Sequence, residues 1–130
     1  MSDVKLSLLI VAHNEEQQIA DCIKSGAFAD EIVVLLDRST DETGVIAERL
    51  GAKLVKGGWP DEGERRNAGI DGCSGDWILE LDGDERVTPE LAQQITEFLP
   101  ETSADYCVIP FRNYVGSRYV QYGWGAYNGV

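Results

Sequence analysis

Two unbroken apolar runs dominate the start of the chain, LSLLIVA over Leu6 to Ala12 and the β-branched IVVLL over Ile32 to Leu36. Neither alternates with polar residues, so both predict strands covered on each face, as in a parallel sheet. Between them Ile19, Cys22 and Ile23 recur at helical spacing. Asn14 and Gln17 fit a capping box ahead of that helix, and Gly26 fits its stop.

The strand and helix pattern then repeats. Ser39 and Glu42 form a second capping box, Val45, Ile46 and Leu50 form an apolar stripe, and Gly51 ends the helix before a short strand at Lys53 to Lys56. A GGWP turn (Gly57 to Pro60) leads to a helix over Glu64 to Ile70, and WILEL (Trp77 to Leu81) predicts a fourth strand running into DGDE. Thr88 caps a further helix with Pro89 at its first position and Leu91, Ile95 and Phe98 on its apolar side. YCVIP (Tyr106 to Pro110) reads as a last strand, at an edge because proline cannot donate to a ladder. Such alternation predicts an open, mostly parallel α/β sheet with helices on both faces, right-handed crossovers and a ligand crevice beyond the carboxyl ends of the strands.

From Asn113 to Val130 the pattern stops; this tail is rich in Gly, Tyr and Trp and carries no acidic residue. The chain therefore divides into an α/β unit over 1–112 and a tail over 113–130, which is either a loop with functional aromatics or the beginning of something unfinished. Trp77 is expected in the core, whereas Tyr119, Tyr122 and Trp124 admit a sugar-platform reading.

Composition narrows the chemistry. At 130 residues the chain suits one domain, able to bury roughly two-thirds of its unfolded surface without a disulfide or metal staple. Asp and Glu number 23 against 11 Lys and Arg, a net charge of -12, which disfavours nucleic acid as a partner. A single phosphorylated metabolite remains open, because a divalent cation can bridge carboxylates to phosphate oxygens. Cys22, Cys73 and Cys107 are odd in number and form no CxxC pair, which points to a reducing compartment. The first apolar run is too short for a signal-peptide core with its flanks or for a membrane span, so the expected location is cytoplasmic, with no transmembrane segment.

Polar residues cluster where three of the strands should end: His13, Asn14 and Glu15; Asp37 to Asp41; and Asp82, Asp84 and Glu85. In a parallel sheet these positions converge on one rim. Asp82 and Asp84 around Gly83 suit a hard cation, Mg²⁺ or Mn²⁺, which stabilises a departing diphosphate as a Lewis acid; the alternative is an acidic surface turn. Ser39 is mainly a cap, while Asp37 precedes it and sits where a base or ribose finds its carboxylate. His13, the only histidine, has no partner at fixed spacing and is read as structural or near the substrate. Arg65 and Arg66 are expected on a helix across the sheet from the nucleotide region. They are either a solvated face or a contact to a base or phosphate.

Taken in order and spacing, LIVAHNEE (Leu9 to Glu16), LLDRSTDET (Leu35 to Thr43), RRNAG (Arg65 to Gly69) and WILELDGDE (Trp77 to Glu85) resemble family 2 glycosyltransferases of the Rossmann-like GT-A fold. The resemblance is strongest to the lipopolysaccharide-core glucosyltransferase-like branch and covers most of the chain. It implies an inverting, metal-dependent transfer of sugar from a nucleoside diphosphate-sugar, a UDP-sugar foremost, to a hydroxyl of a glycan or glycolipid, with peripheral association at the inner face of the cell membrane. It assigns nucleoside binding to Glu15 and Asp37, with Asn14 beside them and Val11 lining the pocket through its backbone. Arg66 falls to the base or phosphate, and Asp82 and Asp84 to ribose, cation and leaving-group chemistry. The later acidic base and QxxRW-like segment usual in the family are not recognisable before Val130, although Arg112 to Trp124 resembles the stretch leading toward the acceptor.

Two other functions compete. A nucleotidyltransferase would favour a Gly- and Lys-rich phosphate loop where this chain has HNEE, and a dehydrogenase would need GxGxxG in the first crossover. A nucleotide-sugar-binding domain without catalysis fits the absence of a visible acceptor base.

Overall fold

The computed structural model describes residues 4–110 in full and the backbone of 113–115 and 118–120. Four parallel strands, β1 (Leu6–Ala12), β2 (Glu31–Asp37), β3 (Lys53–Gly57) and β4 (Trp77–Asp82), form one sheet in the order β3-β2-β1-β4. Helices α1 (Ile19–Ser25), α2 (Thr43–Arg49) and α3 (Glu62–Asp71) follow the first three strands, and α4 (Pro89–Phe98) follows β4. This is the open α/β sheet that the alternation predicts.

β1 sits in the middle of the sheet and is covered from both sides. Its even positions, Leu8, Ile10 and Ala12, pack with Ile19, Cys22 and Ile23 of α1 and Ala47 of α2. Its odd residue Leu9 joins Val33 and Leu35 of β2 beneath Ala68 of α3. Each fully buried side chain of this kind contributes about 1.5–3 kcal/mol through removal from water. α3 comes close to the sheet because Gly69 has no Cβ; one built there would lie 2.8 Å from Leu9 Cδ2.

Thr88 caps α4 as expected, its Oγ1 accepting from the Leu91 N–H at 3.1 Å, with Pro89 at the first turn. Two other predicted caps are wrong. α1 begins at Ile19 with no side-chain cap, and Asn14 instead takes a left-handed backbone, φ 51°. Ser39 does not cap α2 either: its Oγ accepts from the Asn14 N–H at 3.1 Å, and Asp41 Oδ1 accepts from the Thr43 N–H. In both cases the short polar side chain serves the neighbouring loop rather than its own helix. α3 starts earlier than expected because Asp61 Oδ1 accepts from the Glu64 N–H at 2.8 Å.

The buried side of α2 is Thr43 and Ala47, while Val45 and Leu50 are exposed, so the expected apolar stripe is rotated. Tyr106 to Pro110 is not a strand; it carries only an isolated bridge at Pro110. The sheet accordingly ends at β4 among the described residues. Beside that free edge an apolar groove of about 720 Å³ runs between Trp77 and Leu79, the Leu91 and Ile95 side of α4, and Tyr106 and Val108. Trp77 is only half-buried there, packed against the main core from the side. Within the tail, β5 (Asn113–Val115) and β6 (Arg118–Val120) pair antiparallel where no regular element was expected. The Tyr119 side chain, Tyr122 and Trp124 lie outside the described residues.

Candidate nucleotide-sugar site

With β2 and β4 on either side of β1, the three polar clusters end on adjacent strands. The strand order reverses direction about β1, and in open α/β sheets the crevice at such a switch point takes the ligand.

The first two clusters are stitched together across this rim. Asn14 Oδ1 accepts from the Thr40 N–H at 2.8 Å and the Asp41 N–H at 3.3 Å. Thr43 Oγ1 accepts from the Glu15 N–H, and Glu16 Oε2 accepts from the Glu42 N–H. His13 Nδ1 lies 2.7 Å from the Asp37 carbonyl and, because a carbonyl only accepts, donates to it. The non-glycine residues with left-handed backbone among those described are Asn14 and Arg38, both on this rim. For arginine that conformation costs about 1–2 kcal/mol, and it persists because Arg38 N donates to Gly57 O and Arg38 Nη2 to Trp59 O.

Asp37 is the centre of the arrangement. It is 8% exposed at the end of β2, flanked by Arg38 at 3.5 Å on Oδ1 and Arg65 at 3.3 Å on Oδ2. Arg65 Nη1 donates to Oδ2, yet Oδ1 is buried with no hydrogen-bond partner. Its charge is compensated by the Arg38 guanidinium at 3.5 Å, although it accepts no hydrogen bond. The helix expected across the sheet from this region therefore reaches it, through Arg65. Arg66 turns away, to Glu62 at 3.5 Å and to Glu80 of β4 at 3.7 Å. Helical geometry decides the difference, since adjacent residues on a helix point about 100° apart.

The β4 cluster forms the acidic half of the rim. Asp82 N donates to Glu85 Oε1 at 2.7 Å and Glu85 N to Asp82 O at 2.9 Å, closing a tight turn around Gly83. Gly83 is packed against Glu15: a Cβ there would lie 2.9 Å from Glu15 Cγ. Burial raises the Glu15 carboxyl above its ordinary value, and the charges of Asp84, Asp41 and Asp82 push it further. Asp82 is raised by burial and by Asp84, with Arg65 opposing. Glu85, the third member of this cluster, is raised by burial as well and holds the Asp82 backbone. Val11 contributes its carbonyl to this turn, accepting from Gly83 N at 2.9 Å.

Among the described residues no three His, Cys, Asp or Glu side chains gather into a metal-ligand set. Asp82 and Asp84 offer two hard carboxylates, a donor set that fits Mg²⁺ or Mn²⁺ when phosphate oxygens and water complete the shell. The apolar groove beside β4 is separate from this polar rim.

Fold and rim together define an α/β protein with an acidic crevice at a switch point, and comparison with known proteins carries this further. Residues 7–126 match the family described as Glycosyl transferase family 2, and the chain belongs to that family. It is 36% identical over 102 residues to an uncharacterized glycosyltransferase of Rickettsia bellii (strain RML369-C), covering 78% of this chain and 35% of the relative. Among solved structures it is similar to Staphylococcus aureus TarS 1–349, with TM-score 0.65, 28% identity, and coverage of 75% of this chain and 32% of that one. It is also similar to glucosyl-3-phosphoglycerate synthase from Mycobacterium tuberculosis in complex with Mn²⁺, UDP and glucosyl-3-phosphoglycerate. That match has TM-score 0.56 and 29% identity, over 62% of this chain and 34% of the other. The chain spans about a third of the length of the first curated relatives it matches. No helix among the described residues is long and apolar enough to cross a membrane.

Proposed function

We propose that the rim binds a nucleoside diphosphate-sugar, a UDP-sugar foremost, and that the chain serves transfer of the sugar to a hydroxyl acceptor with inversion. The observation that carries this reading is the buried Oδ1 of Asp37, which accepts no hydrogen bond and has only the Arg38 guanidinium at 3.5 Å, with Glu15 past the end of β1 one strand away and Asp82 on β4 two strands away. A base N–H satisfies Asp37; the diphosphate then points toward the β4 turn. Support comes from the Mycobacterium tuberculosis neighbour, solved with Mn²⁺ and UDP.

In this reading Asp37 and Glu15 hold the nucleoside, the Val11 backbone lines the pocket, and Asn14 fixes the two loops in shape. Arg66, which pairs with Glu62 and Glu80, would exchange those partners to meet the base or phosphate. Asp82 and Asp84 would hold Mg²⁺ or Mn²⁺, which neutralises the diphosphate as it leaves. These residues serve donor and leaving group, and the base that takes the acceptor proton is assigned to none of them. Residues 1–112 form the donor-binding unit and 113–130 begin the acceptor-facing part. The acceptor is a glycan or glycolipid, in lipopolysaccharide-core or other cell-surface glycan synthesis, reached at the inner face of the membrane.

Calorimetry with UDP-glucose and Mn²⁺ tests the reading. Tight, cation-dependent binding is expected, and Asp84→Ala is expected to weaken the cation-dependent part about tenfold or more, equivalent to roughly 1.4 kcal/mol. An unchanged cation dependence in that variant removes Asp84 from the metal role. Binding without transfer or hydrolysis across candidate acceptors would favour a non-catalytic binding domain, and turnover of nucleoside triphosphates without sugar transfer would reject the glycosyltransferase reading.

A further inference from the structure

We propose that Arg86 binds the diphosphate of the nucleotide and holds bare divalent cations off Asp82 and Asp84, so that the rim takes up the anion in preference to free metal. The inference rests on the donor-binding reading above and adds a residue to which that reading gives no role.

The Arg86 side chain leaves from a fixed point. It follows the β4 turn, and the backbone on either side of it is tied to α1: Cys22 Sγ donates to Asp82 O at 3.6 Å, and Val87 N donates to Ser25 Oγ at 3.1 Å, with Val87 itself buried. From there the guanidinium reaches the turn ahead of α1. Nη2 donates to Gln18 Oε1 at 3.0 Å, and Nη1 donates to the Glu85 carbonyl at 3.0 Å. That turn also carries Glu15, whose carbonyl accepts from Gln18 N and Ile19 N.

Both partners of the guanidinium are neutral. Arg38, Arg65 and Arg66 each stand within ion-pair distance of a carboxylate, whereas Arg86 has no ion pair among the described residues. Its charge nevertheless acts on the acidic half of the rim. Burial and the charges of Asp84, Asp41 and Asp82 raise the Glu15 carboxyl, and Arg86 opposes them. Arg86 and Gln18 are both exposed, so the side chain can turn without unpacking anything. Exchanging neutral acceptors for phosphate oxygens gives charge-assisted bonds, about twice as strong, and the planar fork of arginine matches phosphate.

One charge thus acts in opposite directions on two ligands. A divalent cation arriving alone meets a positive charge two residues from Asp84, while a diphosphate meets an arginine with no anionic partner. A strap that merely held the β4 turn against α1 would instead change both affinities in the same sense.

The test is calorimetric titration of the 130-residue chain with Mn²⁺ alone and, separately, with UDP in chelator. Arg86→Gln is expected to raise Mn²⁺ affinity about threefold, the modest size that suits an exposed charge, and to lower UDP affinity about tenfold. Arg86→Lys keeps the charge without the fork. It is expected to leave Mn²⁺ affinity at the wild-type level with a UDP loss between the two, and it carries the test if the glutamine variant does not fold. Gln18→Ala removes the resting acceptor alone and is expected to leave both affinities within about twofold. Loss of both affinities in Arg86→Gln, unchanged UDP affinity in both Arg86 variants, or an equal UDP loss in Gln18→Ala overturns the proposal and leaves the donor-binding reading standing. A folded wild type that binds no UDP, with or without Mn²⁺, overturns both.

Discussion

Hydrogen-bond supply decides how single residues behave in this protein. Glu31 receives Ser7 Oγ, the Ser74 N–H and Ser74 Oγ, and these bonds hold its carboxyl below the ordinary 4.5. A folded value below the unfolded one means that the native state holds the proton less readily. The resulting stabilisation is complete above the unfolded value and is lost as pH falls through the lowered one. Glu31→Gln is therefore expected to show its largest deficit in urea unfolding near neutral pH, shrinking as pH falls below 4.5; a deficit independent of pH would contradict this. Cys22 is the opposite case, a fully buried thiol pushed up to about 12 by its burial. The thiolate is the reactive form, so Cys22 is expected to resist a disulfide reagent at about pH 8 until the chain is unfolded. Rapid native-state reaction of all three cysteines would show that the α1 face of the core opens readily. The same accounting explains why Asn14 and Ser39 were misread. Their residue types announce a cap, but which N–H a short side chain serves depends on which loop lies nearest in space, and sequence distance does not report that.

At the scale of elements, strands were legible and helix faces less so. LSLLIVA and IVVLL are continuous because β1 and β2 run inside the sheet with packing on two sides, a pattern that needs no tertiary knowledge, whereas WILEL carries Glu80 and forms the edge strand β4. α2 was mis-phased because Val45 and Leu50 are apolar yet exposed, while Thr43 is polar and fully buried through its bonds to Glu15 N and Asp41. Tyr106 to Pro110 has the composition of a strand, but it lies across the groove from β4 instead of extending the sheet. The junction before β4 is tighter than its sequence suggests. Gly75 N donates to Ser7 Oγ at 2.8 Å, and a Cβ on Gly75 would stand 2.7 Å from the backbone nitrogen of Ser7. Backbone cannot yield as a side-chain tip can, so Gly75→Ala is expected to cost about 1–3 kcal/mol in denaturant unfolding. A neutral effect would mean that β4 shifts freely against β1.

For the whole molecule, the imbalance of charge and the arrangement of strand ends act together. A net charge of -12 on 130 residues opposes compaction through self-repulsion. Moderate salt screens this within about 10 Å, so sodium chloride at about 0.1–0.3 M is expected to raise the thermal midpoint; a midpoint that falls or stays fixed would show the repulsion to be already neutralised within the fold. Part of the acid is concentrated where the charges of Asp84 and Asp82 reach Glu15. The sequence by itself determined the four strands of the parallel sheet and the rim on which the polar clusters meet, because buried strands and loop polarity follow local physics of short range. Only the tertiary structure decided which arginine turns to Asp37, that one Asp37 oxygen is left without a donor, and where the sheet stops. Those outcomes depend on the rotation of α3 and on contacts between residues far apart in the chain, which no local pattern encodes.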